Sequence, residues 1–405
     1  MEFSTEQKQI IDTVINTNNN ILVLWVAWAW KSAVIEEVQK QSWWKILLLW
    51  TTWIAAVNIW WNTIHSALRI GIHNEIRHLD PSDEWVLRKV KKIIIDEGSM
   101  LRPDLLDAIN LRLQKTHNND SLFGWVQIIL FWDLYQLPPI VNNSDTKFFN
   151  KYKTPFFFSS KNYINGNFKF FELIKVFRQD NKDFIDMLAR IRVWKTTDED
   201  LVKLNQRWIK NLDSIDENVI LISTVNSIAD RKNQIELDKL QTEQKTFIWR
   251  VKWKYPKALY PVNDVITLKI GSRVMTTINK IDFKNWSLWV VTQFWMWWVY
   301  ITLDNWNIAF IESHKFQLKE QDEVIWEYEQ IPLKLASAIS IHKSQWQTFE
   351  KVIIDIWRWT FVWWQFYVAI SRWIKLENIY FIQEIKRKDI FANNDVKAFL
   401  STKAE

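Results

Sequence analysis

The chain has 405 residues, enough for two or three domains with sizeable cores, and carries a formal net charge of +6 with a pI near 9.1. That excess of base suits a polyanionic partner without demanding one. The lack of cysteine excludes disulfides and thiolate metal sites and points to a reducing cytoplasm. The start, MEFSTEQKQI, has no basic-then-apolar leader pattern, and no apolar run approaches the ~20 residues of a membrane span, so a soluble cytoplasmic protein with no membrane partner is expected.

Taken in chain order, ILVLW (21–25), KILLLW (45–50), KIIID (92–96) and VQIILFW (126–132) are short apolar strands, and helical stretches follow the first two at 31–42 and 53–59. This βα alternation predicts a parallel sheet covered on both faces. The polar and charged segment 66–91 interrupts it as a small insertion. A second α/β unit begins near 168, with VILIS (219–223), a helix near 226–240, KVIID (351–355) and NIYFI (378–382). Residues 245–330 are rich in strands and turns and read as a small β module.

One composition figure is abnormal: 29 Trp stand against 5 Gly. An ordinary chain spends ~7% of its residues on glycine, and here Gly and Trp together come close to that share. Many tryptophans also occupy places where the backbone asks for glycine. Asn285-Trp286 and Asn305-Trp306 lie between β-type runs, where Asn-Gly is the favoured hairpin turn. DNKDFIDMLARIRVWK reads as a helix whose stop, Trp194, falls where a left-handed glycine belongs, and Trp43-Trp44 likewise follows a helical stretch. Forcing a non-glycine residue left-handed costs ~1–2 kcal/mol and overpacking ~1–3 kcal/mol. Spread over a third of the tryptophans, such costs rival the ~5–15 kcal/mol that stabilises a domain. The expectation is a decoding substitution, because UGA is read as Trp in one variant genetic code and as Gly in another.

Residues 25–32 read WVAWAWKS, between a strand and a helix. With glycine at Trp25, Trp28 and Trp30 this is the phosphate-binding pattern G-x-x-x-x-G-K-S. The backbone of Trp25, Val26, Ala27, Trp28, Ala29 and Trp30 then cradles phosphates, Lys31 reaches the β/γ-phosphates of ATP, and Ser32 holds Mg²⁺. Asp96 and Glu97 end the strand of KKIIIDEGSM, suiting a Mg²⁺ ligand and a base that orients the attacking water.

Together with the later blocks, these residues resemble the superfamily 1B DNA helicases, specifically the petite-integration-frequency family, with Dda and RecD as relatives. FSTEQ (3–7) is similar to the Q motif, TTWIAAVNIWWNTIHSAL (51–68) to motif Ia and its extension, and DEGSM to motif II. LLDAINLRLQKTHNNDSLFGW (105–125) resembles the family signature, FWDLYQLPP (131–139) motif III and VFRQD (176–180) motif IV. SIHKSQWQTF (340–349) resembles motif V and QFYVAISRW (365–373) motif VI. The departures are mostly Trp for Gly, at Trp25, Trp30, Trp53, Trp132, Trp346 and Trp373; Gly98 stands where an aliphatic residue is usual.

The resemblance implies an α/β fold of two RecA-like P-loop NTPase motor domains, 1–165 and 166–405, binding ATP between them. It also implies a wedge insertion at about 66–91 and an SH3-like insertion at about 245–330. Gln7 would read adenine, Gln136 sense the γ-phosphate, Trp346 lie at the nucleotide, and Arg178 and Arg372 act as arginine fingers. Thr52, Thr63, His65, His342 and Lys343 would contact single-stranded DNA. The expected activity is ATP-driven 5′-to-3′ translocation and fork unwinding by a monomeric motor. Alternatives are a DNA-stimulated translocase or RecD-like subunit, and, with the tryptophans real, an inactive single-strand-binding protein.

Overall fold

A computed structural model describes residues 3–26, 30–42, 46–51, 62–71, 74–133, 138–139, 141, 145–173, 182–210, 219–251, 262–280, 282–283, 285, 287–302, 308–320, 323–341, 351–356, 365–371, 373, 375–391 and 393–403. The chain divides into two compact units. One comprises Met1–Thr197 with Val362–Ile374 and Ile390–Glu405, and the other Asp198–Phe361 with Lys375–Asp389.

The first unit is built on β1 (Ile21–Trp25), β2 (Ile46–Trp50), β3 (Asn62–Thr63), β4 (Lys92–Asp96), β5 (Gln127–Trp132) and β6 (Lys169–Leu173). All pairings are parallel, in the order β3-β2-β4-β5-β1-β6. Every residue of β1, β4 and β5 is buried, as a sheet covered on both faces requires. One face packs helices α1 (Thr5–Asn16) and α2 (Lys31–Ser42) through Ile10, Val14, Val34 and Val38 against Ile94 and Ile129. Full burial of each such side chain contributes roughly 1.5–3 kcal/mol. Helix α1 starts on a reciprocal cap: Ser4 Oγ accepts from the Gln7 N–H, and Gln7 Oε1 accepts from the Ser4 N–H at 2.8 Å.

The boundary expected at 165/166 falls ahead of β6, which hydrogen-bonds to β1 from Ile21↔Lys169 to Trp25↔Leu173. The first unit therefore runs on to Thr197. Within it, the 66–91 stretch forms a small antiparallel bridge, Ile70↔Ile76, and the helix Pro81–Lys89. Buried Arg112 of α3 (Pro103–His117) ties this stretch down. Its guanidinium donates to the Leu68 carbonyl at 2.7 Å, to the Arg69 carbonyl at 3.1 Å and to the Arg77 carbonyl.

The helix stop expected at Trp194 is present. Helix α4 (Lys182–Arg192) is followed by Trp194 at φ 57°, whose N–H bonds to Ile191 O at 3.1 Å, while the Lys195 N–H bonds to Arg190 O at 2.9 Å. That pair of bonds is a Schellman cap, which normally carries glycine at the left-handed position. At the end of α3 the same conformation falls to Asn118 (φ 49°), a residue type that tolerates it. Between α3 and β5, Phe123, Gly124 and Trp125 all have positive φ. A Cβ on Gly124 would lie 2.7 Å from the Leu113 carbonyl oxygen, so the turn needs glycine there. The segments holding Trp43-Trp44, Trp286 and Asn305-Trp306, and the expected helix at 53–59, lie outside the described residues.

The second unit has a parallel sheet in the order β18-β7-β19-β20, from β7 (Ile220–Ser223), β18 (Ala338–Ser340), β19 (Val352–Asp355) and β20 (Ile379–Phe381). Helix α5 (Asn226–Lys239) follows β7, and its Asn233 brackets the start of β18 by accepting from Ala338 N and donating to Ala338 O. Between β7 and β18 run the antiparallel strands β8 (Gln244–Ile248) to β17 (Leu333–Leu335), which include a five-stranded sheet. Their shared core includes Val274, Trp289, Val299, Tyr328 and Leu333. Among the described residues, no helix is long and apolar enough to cross a membrane.

Candidate active site

The site forms where strands β1, β4 and β5 end. In a parallel sheet these carboxyl edges collect the loops, and the N-terminus of the following helix points its free N–H groups at them. The segment leaving β1 is clamped at its start, because the Val26 N–H donates to the Leu173 carbonyl of β6 at 3.0 Å. Trp30, at φ 55°, turns the chain into α2, its carbonyl accepting from Ala33 N at 3.1 Å. Lys31 and Ser32 are thereby the first residues of α2.

Lys31 crosses the position of the intervening strand β5 to reach the end of β4. Its Nζ lies 2.6 Å from Asp96 Oδ1 and 2.9 Å from Glu97 Oε1, and all three side chains are nearly buried. The Glu97 N–H donates to Asp96 Oδ1 at 2.8 Å, and Thr51 Oγ1 donates to the Glu97 carbonyl at 3.0 Å. Glu97 itself is left-handed, at φ 54°. A non-glycine residue in that region is strained backbone of the sort that gathers at functional sites. The next residue, Gly98, lets the chain pass β5, since a Cβ there would sit 3.2 Å from the Phe131 carbonyl oxygen.

Burial works against the Lys31 charge, but the charges of Asp96 and Glu97 outweigh it, and the ammonium is held more firmly than in water. Asp96 is pushed up to about 6, chiefly by burial, with Lys31 opposing and Glu97 reinforcing. Its ordinary value is 3.8, so folding takes up a proton between about pH 4 and pH 6. The folded state binds more protons than the unfolded state there, so stability falls as pH rises through that window. Urea midpoints measured across it should decline for the unliganded protein, and Asp96→Asn should flatten the decline.

Two indoles crowd the same ammonium. Lys31 Nζ lies 4.2 Å from the Trp25 ring centre and 5.7 Å from that of Trp50. Two residues that the motif reading left without a role also meet here. Buried Arg192 donates to the Trp25 carbonyl at 3.1 Å and lies 3.9 Å from the carboxylate of buried Asp133, just beyond β5. Asp133 sits inside the motif III block, three positions before Gln136, and that was its only sequence signal.

The other expected site residues divide by position. Gln7 is buried and its carbonyl oxygen serves the cap of α1. Thr63 caps the helix Ile64–Ala67, accepting from the Ser66 N–H at 3.1 Å. His65 has a buried Nδ1 without a hydrogen-bond partner among the described residues, and burial lowers its pKa. Ala27, Trp28, Ala29, Thr52, Gln136, Arg178, His342, Lys343, Trp346 and Arg372 lie outside the described residues.

A family model described as PIF1-like helicase matches residues 2–201, the stretch that holds Lys31, Asp96 and Glu97. Over that stretch the chain belongs to the PIF1-like helicase family. It is accordingly an enzyme of the ATP-dependent DNA helicase class. The chain is 26% identical to the ATP-dependent DNA helicase Pif1 of Campylobacter jejuni, over 79% of this chain and 78% of that protein. It is 27% identical to the ATP-dependent DNA helicase PIF1 of Xenopus laevis, over 98% of this chain but only 64% of that relative's length. In three dimensions it is similar to the Bacteroides Pif1 helicase solved with ADP-AlF3 and single-stranded DNA. That likeness has a TM-score of 0.82 at 29% identity and covers 100% of this chain and 98% of the other. The α/β architecture with parallel sheets is that of the RecA-like motor fold.

Proposed function

We propose that this PIF1-like chain couples ATP hydrolysis to 5′-to-3′ movement on single-stranded DNA and separates the duplex at a fork. The observation that carries this reading is the meeting of Lys31 with Asp96 and Glu97 at 2.6 and 2.9 Å, at the carboxyl edge of an all-parallel sheet. In the proposed reaction Lys31 swings from the two acids to the β/γ-phosphates. Glu97, freed of its cation, orients the attacking water and accepts its proton. Ser32 and Asp96 are hard oxygen donors of the kind Mg²⁺ takes, and the ion would neutralise phosphate charge there. Gln7 reads the adenine, the segment of Trp346 lies at the nucleotide, Gln136 senses the γ-phosphate, and Arg178 and Arg372 neutralise the transferring group.

Thr52, Thr63, His65, His342 and Lys343 are proposed to touch the DNA backbone. The 66–91 insertion is proposed as the wedge, with the Arg112 clamp supporting a fixed base for it. The antiparallel module around 245–330 is proposed as the SH3-like insertion, and the motor as monomeric. A solved structure similar to this chain is described as the structural basis for DNA unwinding at forked duplex DNA by two coordinating Pif1 helicases.

A fork assay tests the proposal. Forks with a 5′ single-stranded tail should be unwound in an ATP-dependent way, and forks with only a 3′ tail should not. Single-strand-stimulated hydrolysis without unwinding of either fork would favour the translocase or RecD-like reading instead.

A further inference from the structure

We infer that the residues written as Trp30, Trp125 and Trp194, and with them Trp25 of the phosphate loop, are glycines in the protein as its own cells make it. Among the described residues, ten non-glycine positions have positive φ, and three of them are tryptophan. Three others are Asn, whose short polar side chain tolerates that region; a bulky indole has no such accommodation. Each of the three tryptophans stands at a junction where chain direction changes. Trp30 turns β1 into α2, Trp125 turns the α3 connection into β5, and Trp194 is the left-handed residue of the Schellman cap after α4.

At Trp125 burial does not compensate for the strain. Trp125 has 72% of its surface exposed, so its backbone is held left-handed while its ring packs against little. At the tip of the β12–β13 hairpin (Leu288–Trp295 and Trp298–Thr302) the pattern continues, with Trp295, Trp297 and Trp298 exposed beside Met296. An apolar tip of this kind invites association, and glycine, the common residue of such turns, removes it.

Trp25 fails for a chemical reason, and this part rests on the functional reading above. Its buried indole N–H has no hydrogen-bond acceptor among the described residues, and its ring lies over the Lys31 ammonium that must reach phosphate. Glycine there uncovers both the lysine and the backbone. Not every tryptophan shows such strain. Trp132 packs against Phe157 and Phe399, although its buried indole N–H, like that of Trp25, has no hydrogen-bond partner among the described residues, and buried Trp373 donates its indole N–H to the Ala369 carbonyl at 2.7 Å. A single cause fits the strained set and spares the reactive side chains: UGA codons that specify glycine in the host have been written as tryptophan.

The test is tandem mass spectrometry of tryptic peptides from the natively produced protein. Peptide Gln9–Lys31 carries positions 25, 28 and 30, and peptide Thr116–Lys147 carries positions 125 and 132. Fragment ions should place glycine at 25, 30 and 125, each site lighter by the difference between an indolylmethyl group and a hydrogen. Tryptophan read at 30 and 125 would overturn the inference, whatever the enzyme does. An inactive protein carrying glycine at these positions would leave the inference standing and count against the helicase reading alone.

Discussion

Lys31→Ala, made in the chain carrying glycine at 25, 28 and 30, is expected to lower single-strand-stimulated ATP hydrolysis by about 10²–10³-fold, the loss typical of removing one donor to a developing oxyanion. The Lys31 side chain lies within the described residues of the phosphate loop. It spans from the first turn of α2 to both acids of β4, at 2.6 and 2.9 Å. The substitution should also weaken the unliganded fold, because it leaves two buried carboxylates without their cation. Breaking such a buried pair costs roughly 3–5 kcal/mol. The raised pKa of Asp96 offers relief at low pH, so the stability loss should be larger above about pH 6 than below it. Hydrolysis per folded molecule, with folding checked by circular dichroism, separates the two effects. Undiminished turnover would remove Lys31 from the phosphate site.

Glu97→Gln is the second large effect. The amide keeps the size of the carboxylate and can still accept from Lys31, so the fold and the nucleotide affinity should change little. Proton acceptance is lost, and turnover should fall by about 10²–10⁴-fold, the range of general-base catalysis. The decisive measurement is the split between kcat in single-strand-stimulated hydrolysis and the Kd of a fluorescent ATP analogue. A kcat within a few-fold of the parent would assign the base elsewhere. A matching loss of affinity would recast Glu97 as a structural partner of Lys31. The left-handed backbone at Glu97 and the bond from Thr51 to its carbonyl fix where its side chain starts, which is why a conservative change suffices.

Much of this was legible before the tertiary structure. The strands β1, β4 and β5 announce themselves because both faces are buried, leaving uninterrupted apolar runs that end where the phosphate loop, Asp96 and Asp133 begin. The stop at Trp194 was legible too, because a cap is a local matter of backbone dihedrals, and it is present down to both Schellman bonds. Strand β6 gave no such signal. It lies at the sheet edge, with Lys169 and Glu172 exposed, so its letters carry no apolar run, and the domain boundary was drawn ahead of it.

The sequence by itself determined which reactive side chains exist, in what order, and which backbone positions call for glycine, since these depend on residue type and on neighbours a few positions away. Only the tertiary structure decided that Lys31 meets acids 65 and 66 residues further on, that Arg192 reaches back 167 residues to the Trp25 carbonyl, and that the Trp25 ring covers Lys31. Those contacts follow from the order in which the strands are laid side by side. That order is set by burying apolar faces against one another across the whole unit, and no local pattern of residues encodes it.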